Sequence, residues 1–234
     1  MPAGLSHYRG SLTSKELADG INAARRNAHR LATDAKLMLS LKRYPSAALM
    51  AVLAIEEAGK VSILRALPFA RTDEELQAVW RDYHRHRAKN GAWLVLDSLK
   101  RTGGRFSDVV TAADQNSEHT ALLDTVKKLA LYTECVSKGA WSSPDEVITP
   151  EVAVELVRVA ELLSQIKEVT EREIDLWIEH LGPVWNTPAM ASALVSWAAA
   201  MERAGLVAPA PDDLQRILSG RETLAGLLQR SRAG

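Results

Sequence analysis

The stretch WRDYHRHRAKN, at positions 80–90, gathers side chains that can move protons and bind anions. It holds four basic residues, two histidines and one acid, namely Arg81, Arg85, Arg87, Lys89, His84, His86 and Asp82. Imidazole transfers protons near neutral pH, whereas guanidinium groups hold phosphate oxygens. Arg85 and Lys89 are one turn apart and carry like charges, which favours an anionic ligand between them. A solvated basic face is the alternative, although it accounts less well for His86 beside Asp82 and Lys89.

The spacing within this stretch decides which side chains share a helical face. Asp82 lies one turn before His86 and Lys89 lies three residues after it, so the three fall on one face. Arg81 is about 140° from His86 around a straight helix. The two can meet through the length of the arginine, through a helix irregularity or across two subunits. His84 and His86 point apart and no HExxH motif or pair of ExxH motifs is present, so no metal or other cofactor is expected.

A second group of charges interrupts the most apolar helix of the sequence. Positions 47–67 are apolar on almost every face, which predicts a helix surrounded by protein. Yet Glu56, Glu57 and Lys60 lie in its middle. Glu56 and Lys60 have the favourable spacing for an ion pair, and a second carboxylate in such a place needs a basic partner, which we expect from positions 81–89. A solvated turn at the end of the bundle is the alternative interpretation.

These residues must be positioned by helices, because alternating apolar and polar stretches of strand length are absent. The predicted helices begin at two kinds of signal, a hydroxyl cap with a glutamate three residues later or a proline in the first turn. Starts and stops predict helices at 13–43, 46–67, 73–100, 107–136, 150–181 and 188–204, with a further one near 212–231. Short connections favour antiparallel neighbours, so the predicted fold is an all-α bundle. We expect residues 1–206 to form the domain and 207–234 a linker and short helical tail.

The composition shows no general preference for charged partners. The 234 residues carry 29 basic and 29 acidic side chains, so contact with a nucleic acid has to be local. One cysteine, Cys135, excludes an intrachain disulfide. The most apolar run, Ala47–Ile55, is too short to span a bilayer, and no secretory signal is visible. We therefore expect a cytoplasmic protein without membrane contact.

Three blocks of the sequence resemble the AbiV family of bacterial abortive-infection proteins, which belongs with the HEPN-type helical domains. The first, AIEEAGK at Ala54–Lys60, is similar to the end of the family's alanine-rich helix. The second contains the His-x-x-Lys of His86 and Lys89. The third is KLALY at Lys128–Tyr132, followed by WSSP at 141–144. Together the blocks cover about residues 20–165, and their order and spacing are more specific than any one of them.

The resemblance implies a HEPN-like antiparallel bundle and an activity. Arg81-Asp82-x-x-x-His86 fits the pattern of HEPN ribonucleases, whose active members cleave RNA without a metal in a cleft between two subunits. By this resemblance His86 transfers the proton, Arg81 holds the scissile phosphate and Asp82 orients one of them. Lys89 is assigned to the same catalytic group. The residues expected to bind substrate are Glu56, Glu57, Lys60, Arg85, Lys128 and Tyr132.

The expected protein is an anti-phage effector that acts on RNA as a homodimer, with a phage protein as a candidate trigger. One alternative is a defence protein that binds a phage protein or RNA through the same polar cluster without cutting. Another is a cluster that only stabilises the bundle. The sequence departs from the family pattern in two ways. More than a hundred residues follow the ribonuclease motif, and Thr133-Glu134 replaces the aspartate after Tyr132.

The remaining candidates are interpreted as packing residues. The six tryptophans are scattered without a common spacing, which favours roles in the core or an interface. Tyr132 is expected to be packed with its hydroxyl hydrogen-bonded, and Cys135 to be a small core residue. The acid-rich positions 161–179 are interpreted as a solvated or subunit-facing surface.

Overall fold

The computed structural model describes residues 7–84, 118–136, 139–165, 167–206, 212 and 215–216. Over these residues the chain is all-α apart from one two-stranded sheet, which confirms the predicted fold class. The helices are α1 (Ser14–Ser40), α2 (Tyr44–Ala66), α3 (Asp73–His84), α4 (Glu118–Leu131), α5 (Pro144–Val147), α6 (Pro150–Leu163), α7 (Glu171–Leu181) and α8 (Met190–Arg203). Short 3-10 turns follow α2 and α7, at Leu67–Phe69 and Gly182–Val184. Strands β1 (Glu134–Val136) and β2 (Ala140–Ser142) lie between α4 and α5.

The first two helices form an antiparallel hairpin. The Glu16 N–H donates to the Thr13 hydroxyl at 3.2 Å and the Thr13 N–H donates to the Glu16 carboxylate at 2.8 Å, so the predicted capping box is present. α1 ends where Lys42 adopts a left-handed backbone with a φ of 58°. There the Arg43 N–H donates to the Met38 carbonyl at 2.9 Å, which satisfies a terminal carbonyl and turns the chain into α2.

The centre of the bundle is α2. Small and branched side chains on several of its faces are buried, among them Ala51, Val52 and Leu64. Helices α1, α4 and α6 pack around its first two-thirds, and α3 packs against its end. Burial on most faces agrees with the apolar pattern of positions 47–67. As a result, a charged residue on α2 is held away from water unless it lies on an uncovered face.

The single helix predicted at 150–181 is wrong, because two helices, α6 and α7, occupy this range. Thr170 caps α7 by accepting a hydrogen bond from the Glu173 N–H at 3.1 Å. The residues between the two helices are fixed by Asn22 of α1, whose side-chain N–H donates to the Val169 carbonyl at 2.7 Å. The Val169 N–H donates back to the Asn22 side-chain oxygen at 3.0 Å. A buried amide thus satisfies both backbone groups of Val169 where the helical hydrogen bonds are interrupted.

A β-hairpin follows α4, where the sequence predicted the end of a helix. The helix predicted at 107–136 ends at Leu131, and the start of its range lies outside the described residues. Cys135 pairs with Trp141 across the two strands. Both are exposed, Trp141 at 72 %, so the interpretation of Cys135 as a core residue is wrong, and Trp141 lies outside the core. Strands of three residues are too short to show an alternating pattern.

The last two helices pack onto the bundle through aromatic rings. Trp177 of α7 stands edge-on to Trp197 of α8, with ring centroids 5.3 Å apart. The ring of Phe69, in the 3-10 turn after α2, has its centroid 4.3 Å from that of Trp185. These tryptophans are packing residues, as expected.

Two further predictions concern the C-terminal half of the chain. Glu173 is buried and forms an ion pair with Arg65 of α2, so the solvated surface predicted for positions 161–179 is wrong at this residue. Nearly all of 207–234 lies outside the described residues, so the linker, the tail and the domain boundary remain predictions.

Among the helices of the described ranges, none combines the length and apolar character needed to cross a membrane.

Candidate functional site

The end of α3 carries the described half of the ribonuclease-like motif. Arg81 is exposed there, Asp82 is half-buried, and the neighbouring Trp80 is buried. Trp80 therefore anchors the turn that presents Arg81 to solvent. The other residues of this motif region, which lie outside the described ranges and keep their roles as predictions, are Arg85, His86 and Lys89.

A buried ion pair joins α2 to α4. The Lys127 ammonium donates to the Glu56 carboxylate at 2.7 Å, and only 14 % and 5 % of the two side chains are exposed. The prediction of a desolvated polar cluster in α2 is confirmed for Glu56. The cation of this contact comes from α4; positions 85–89 lie outside the described residues, so the basic partner expected from positions 81–89 remains a prediction.

A second ion pair lies one residue further along α2. Lys60 donates to the Glu57 carboxylate at 2.5 Å, whereas its spacing predicted a pair with Glu56. The Lys60 ammonium also lies 5.2 Å from the centroid of the Tyr83 ring on α3, which is within the range of a cation–π contact. The two side chains of the ion pair are largely buried. They therefore connect α2 to the last described turn of α3.

Asp124 extends this cluster to the surface of α4. Its carboxylate lies 3.1 Å from the Lys128 ammonium and 3.5 Å from that of Lys127. The hydrogen bond from Lys128, together with the charges of both lysines, lowers the pKa of Asp124 below its ordinary value in spite of partial desolvation. At neutral pH an ionised Asp124 therefore links the buried Lys127 to the exposed Lys128.

Lys128 and Tyr132 were expected to line the same cleft, with the tyrosine packed. The structure places both on the surface, with 64 % of the Lys128 side chain and 56 % of Tyr132 exposed. Tyr132 follows the last residue of α4, and its N–H donates to the Lys128 carbonyl at 2.9 Å. The expectation of a packed tyrosine is wrong, whereas the role of both residues in binding remains a prediction.

The sequence analysis missed a contact between the N-terminal segment, residues 7–12, and α3. The Trp80 indole N–H donates to the Gly10 carbonyl at 2.9 Å, and the Gln77 side chain donates to the Arg9 carbonyl at 3.1 Å. The N-terminal segment therefore lies along the face of α3 that carries Gln77 and Trp80. No local pattern signals these contacts, because they join residues 70 and 68 positions apart.

Aromatic rings continue this contact to the end of α3. The Tyr8 ring stands edge-on to Trp80, with centroids 6.4 Å apart. The His7 ring lies 4.7 Å from the ring of His84. His7 has no motif around it in the sequence, so only the fold brings it beside the ribonuclease-like motif.

The described part of this region offers hydrogen-bond donors for an anion. Arg81 and His84 lie on the surface of α3, and guanidinium and imidazole groups both donate to phosphate oxygens. Within the part of the chain that the structure describes, no three histidine, cysteine, aspartate or glutamate residues are grouped so that they could hold a metal ion.

The fold and this site define a helical-bundle protein whose central helix, α2, forms a buried ion pair with α4 and contacts the turn of α3 beside Arg81. The family model HEPN_AbiV, described as AbiV, matches residues 16–165, a range that includes both the buried ion pairs and Arg81. The chain therefore belongs to the AbiV family of HEPN-type abortive-infection proteins. Comparison with curated proteins and with solved structures gave no match.

Replacing Lys128 with alanine is expected to raise the pKa of Asp124, because the hydrogen bond from Lys128 is the largest cause of its lowering. A folded-state pKa below the unfolded one means that Asp124 stabilises the fold above its ordinary pKa of 3.8, and that this contribution is lost as the pH falls through the folded value. Lys128→Ala should make the contribution smaller. NMR titration of the Asp124 carboxyl carbon measures the change, with Lys36→Ala on α1 as the control. An unchanged pKa in Lys128→Ala contradicts the prediction.

Proposed function

We propose that this chain is an abortive-infection effector that cleaves RNA without a metal ion, at a site completed by a second copy of the chain. One observation supports this above others. The Arg81-Asp82-x-x-x-His86 pattern lies inside the range matched by the AbiV family, and its arginine is exposed on α3. An RNA strand can therefore reach this guanidinium without any rearrangement of the core.

The proposed reaction is attack of a ribose 2′-oxygen on the adjacent phosphorus. The P–O5′ bond breaks, and the products are a 2′,3′-cyclic phosphate and a 5′-hydroxyl. His86 of one copy takes the proton from the 2′-hydroxyl, and His86 of the second copy protonates the leaving oxygen. Arg81 neutralises the charge on the phosphorane, and Asp82 orients one of these groups. Arg85 and Lys89 add positive charge for the RNA backbone.

A second copy belongs to the proposal because of helix geometry. Arg81 and His86 are about 140° apart around a straight helix, so one copy does not readily direct both groups at the same phosphate. Pairing the motifs of two copies places two arginines and two histidines around one RNA strand.

The buried ion pairs support a positioning role in this site. Glu56 is too deeply buried to touch RNA directly. Glu57 and Lys60 form an ion pair within the bundle and neutralise each other's charge. These residues fix α2 against α3 and α4. In addition to Arg81, we assign the exposed Lys128 and Tyr132 to contact with RNA, the lysine with phosphate and the tyrosine by stacking on a base.

The test is cleavage of labelled single-stranded RNA by the purified protein in EDTA. Wild type is expected to leave 2′,3′-cyclic phosphate ends, and Arg81→Ala and His86→Ala are each expected to lower the rate about 100-fold or more. Arg26→Ala, which removes an exposed arginine from α1, is the matched control and should cleave like wild type. Thermal melting of every variant shows whether it is folded.

Mixing wild type with His86→Ala tests the shared site. Because the proposed reaction uses His86 of both copies, a wild-type copy paired with a His86→Ala copy should not cleave RNA, so an excess of His86→Ala should lower the activity of wild type. Activity that is unchanged by the excess, in mixtures shown to exchange subunits, contradicts a composite site.

The non-catalytic alternative makes a different prediction. A protein that only binds RNA should bind equally well as His86→Gln, with an affinity that falls as salt rises because phosphate contacts release counterions. Binding of this kind without cleavage in either protein would overturn the ribonuclease proposal. A wild type that neither binds nor cuts RNA leaves a phage protein as the partner to seek.

A further inference from the structure

The N-terminal segment adds charged and imidazole groups to the surface of α3 that carries Arg81. Its contacts fall on Gln77, Trp80 and His84, at the spacing i, i+3 and i+7 that defines one helical face. The Trp80 hydrogen bond fixes the backbone of Gly10, and the ring contact places His7 against His84. The segment is therefore held in register with the helix at several points.

Helix geometry puts Arg81 beside this contact. At about 100° per residue, Arg81 is about 60° around the helix from His84 and about 40° from Gln77. By the same measure it is about 140° from His86. His84 and the His7 ring that contacts it therefore lie on the same side of α3 as Arg81. If the helix continued straight, His86 would lie on a different side from Arg81.

This side of the helix and the N-terminal segment expose two guanidinium and two imidazole groups, those of Arg9, Arg81, His7 and His84. Asp82 is about 160° from His84 around the helix, and the carboxylates of the first turn of α3, at positions 73–75, are about 9–12 Å from Arg81 along the axis. Asp82 is about 100° from Arg81, so an anion held between Arg81 and His84 is about 130° around the helix from Asp82.

We propose that His7, Arg9, Arg81 and His84 form a binding site for the phosphodiester backbone of single-stranded RNA, hereafter the N-terminal phosphate site. The proposal rests on the function proposed above, because RNA is its ligand, but it concerns binding and requires no cleavage. Arg81 and His84 are presented by α3, while His7 and Arg9 are carried by the N-terminal segment. The site therefore joins residues from two parts of the chain that no sequence motif connects.

The test uses the full-length protein and a single-stranded RNA whose riboses are all 2′-O-methylated, so that binding is measured without cleavage. Wild type should bind this probe. His7→Ala and His84→Ala should each weaken binding about tenfold, as expected for the loss of a hydrogen bond to a charged group, and should lower the slope of log affinity against log salt. The matched control is His29→Ala, which removes an exposed imidazole from α1 and should bind like wild type.

A second variant separates phosphate binding from packing. His7→Phe keeps an aromatic ring against His84 but has no N–H group to donate, so it should lose binding as His7→Ala does. If His7→Phe binds like wild type, the ring only packs and the proposal is overturned. The proposal is also overturned if wild type does not bind the methylated RNA, or if His7→Ala and His84→Ala bind it unchanged.

These outcomes are distinct from those of the cleavage assay. A wild type that cuts unmodified RNA while His7→Ala and His84→Ala bind the probe normally keeps the ribonuclease function and removes the N-terminal phosphate site. A wild type that binds the probe through His7 and His84 but does not cut RNA keeps the site and removes the ribonuclease function.

Discussion

Replacing Lys127 with methionine is expected to lower the free energy of unfolding by about 3 kcal/mol, the lower end of the cost of breaking a buried ion pair. Methionine keeps much of the length of the lysine, so the change removes the charge more than the packing. The Glu56 carboxylate then stays in the core without the ammonium that lies 2.7 Å from it in the wild type. Urea unfolding followed by circular dichroism measures the loss.

Two further variants test whether the loss of stability comes from the burial of the charge. Glu161→Ala breaks the ion pair with Lys36, whose side chains are exposed, and should cost less than about 1 kcal/mol. The double variant Glu56→Leu/Lys127→Met removes both charges and should recover most of the stability that Lys127→Met loses. A double variant as unstable as Lys127→Met would contradict the assignment of the loss to the unpaired charge of Glu56.

Replacing Asn22 with alanine is expected to lower the free energy of unfolding by about 2–4 kcal/mol. The Asn22 amide satisfies the N–H and the carbonyl of Val169, and Val169 is itself buried. Each buried backbone group left without its hydrogen bond costs about 1–3 kcal/mol. Because these bonds hold the chain between α6 and α7, amide hydrogen exchange in residues 167–175 should also become faster.

Asn27 provides the control for this change on the same helix. Its side chain accepts hydrogen bonds from Arg30 near the surface, so Asn27→Ala should cost less than about 0.5 kcal/mol. Asn22→Asp adds a pH test. The introduced carboxyl can donate to the Val169 carbonyl only when protonated, so its pKa is raised in the folded protein. The stability of Asn22→Asp relative to wild type should therefore rise as the pH falls. No such trend would contradict the assigned hydrogen bonds.

The starts of several helices could be predicted from the sequence, because their signals are local. The Thr13-x-x-Glu16 box fixes the start of α1, and Pro150 stands at the start of α6. The break between α6 and α7 had a similar signal, since Thr170 precedes Glu173 by three residues. This break is difficult to recognise in the sequence because no glycine or proline interrupts positions 164–170, and the helical pattern continues through them.

The partners of buried polar groups could not be predicted in the same way. The sequence shows that Glu56 needs compensation within an apolar helix, but the cation comes from Lys127, 71 positions later. The contact between the N-terminal segment and α3 depends on backbone carbonyls, which every residue type carries. Sequence patterns therefore indicate that a charge or an amide is placed where it needs a partner, while the tertiary fold decides which partner it receives.

The two hydrogen bonds between the Asn22 side chain and the Val169 backbone also have a consequence for synthesis of the chain. They join residues 147 positions apart, and the ion pair of Arg65 with Glu173 joins residues 108 positions apart. Helices α1 and α2 can pair as soon as they leave the ribosome, but contacts of such long sequence separation form late. The first helix, near the start of the chain, is thus completed by residues near position 170. A nascent or prematurely terminated chain that lacks them leaves Asn22 without the Val169 backbone and Arg65 without Glu173.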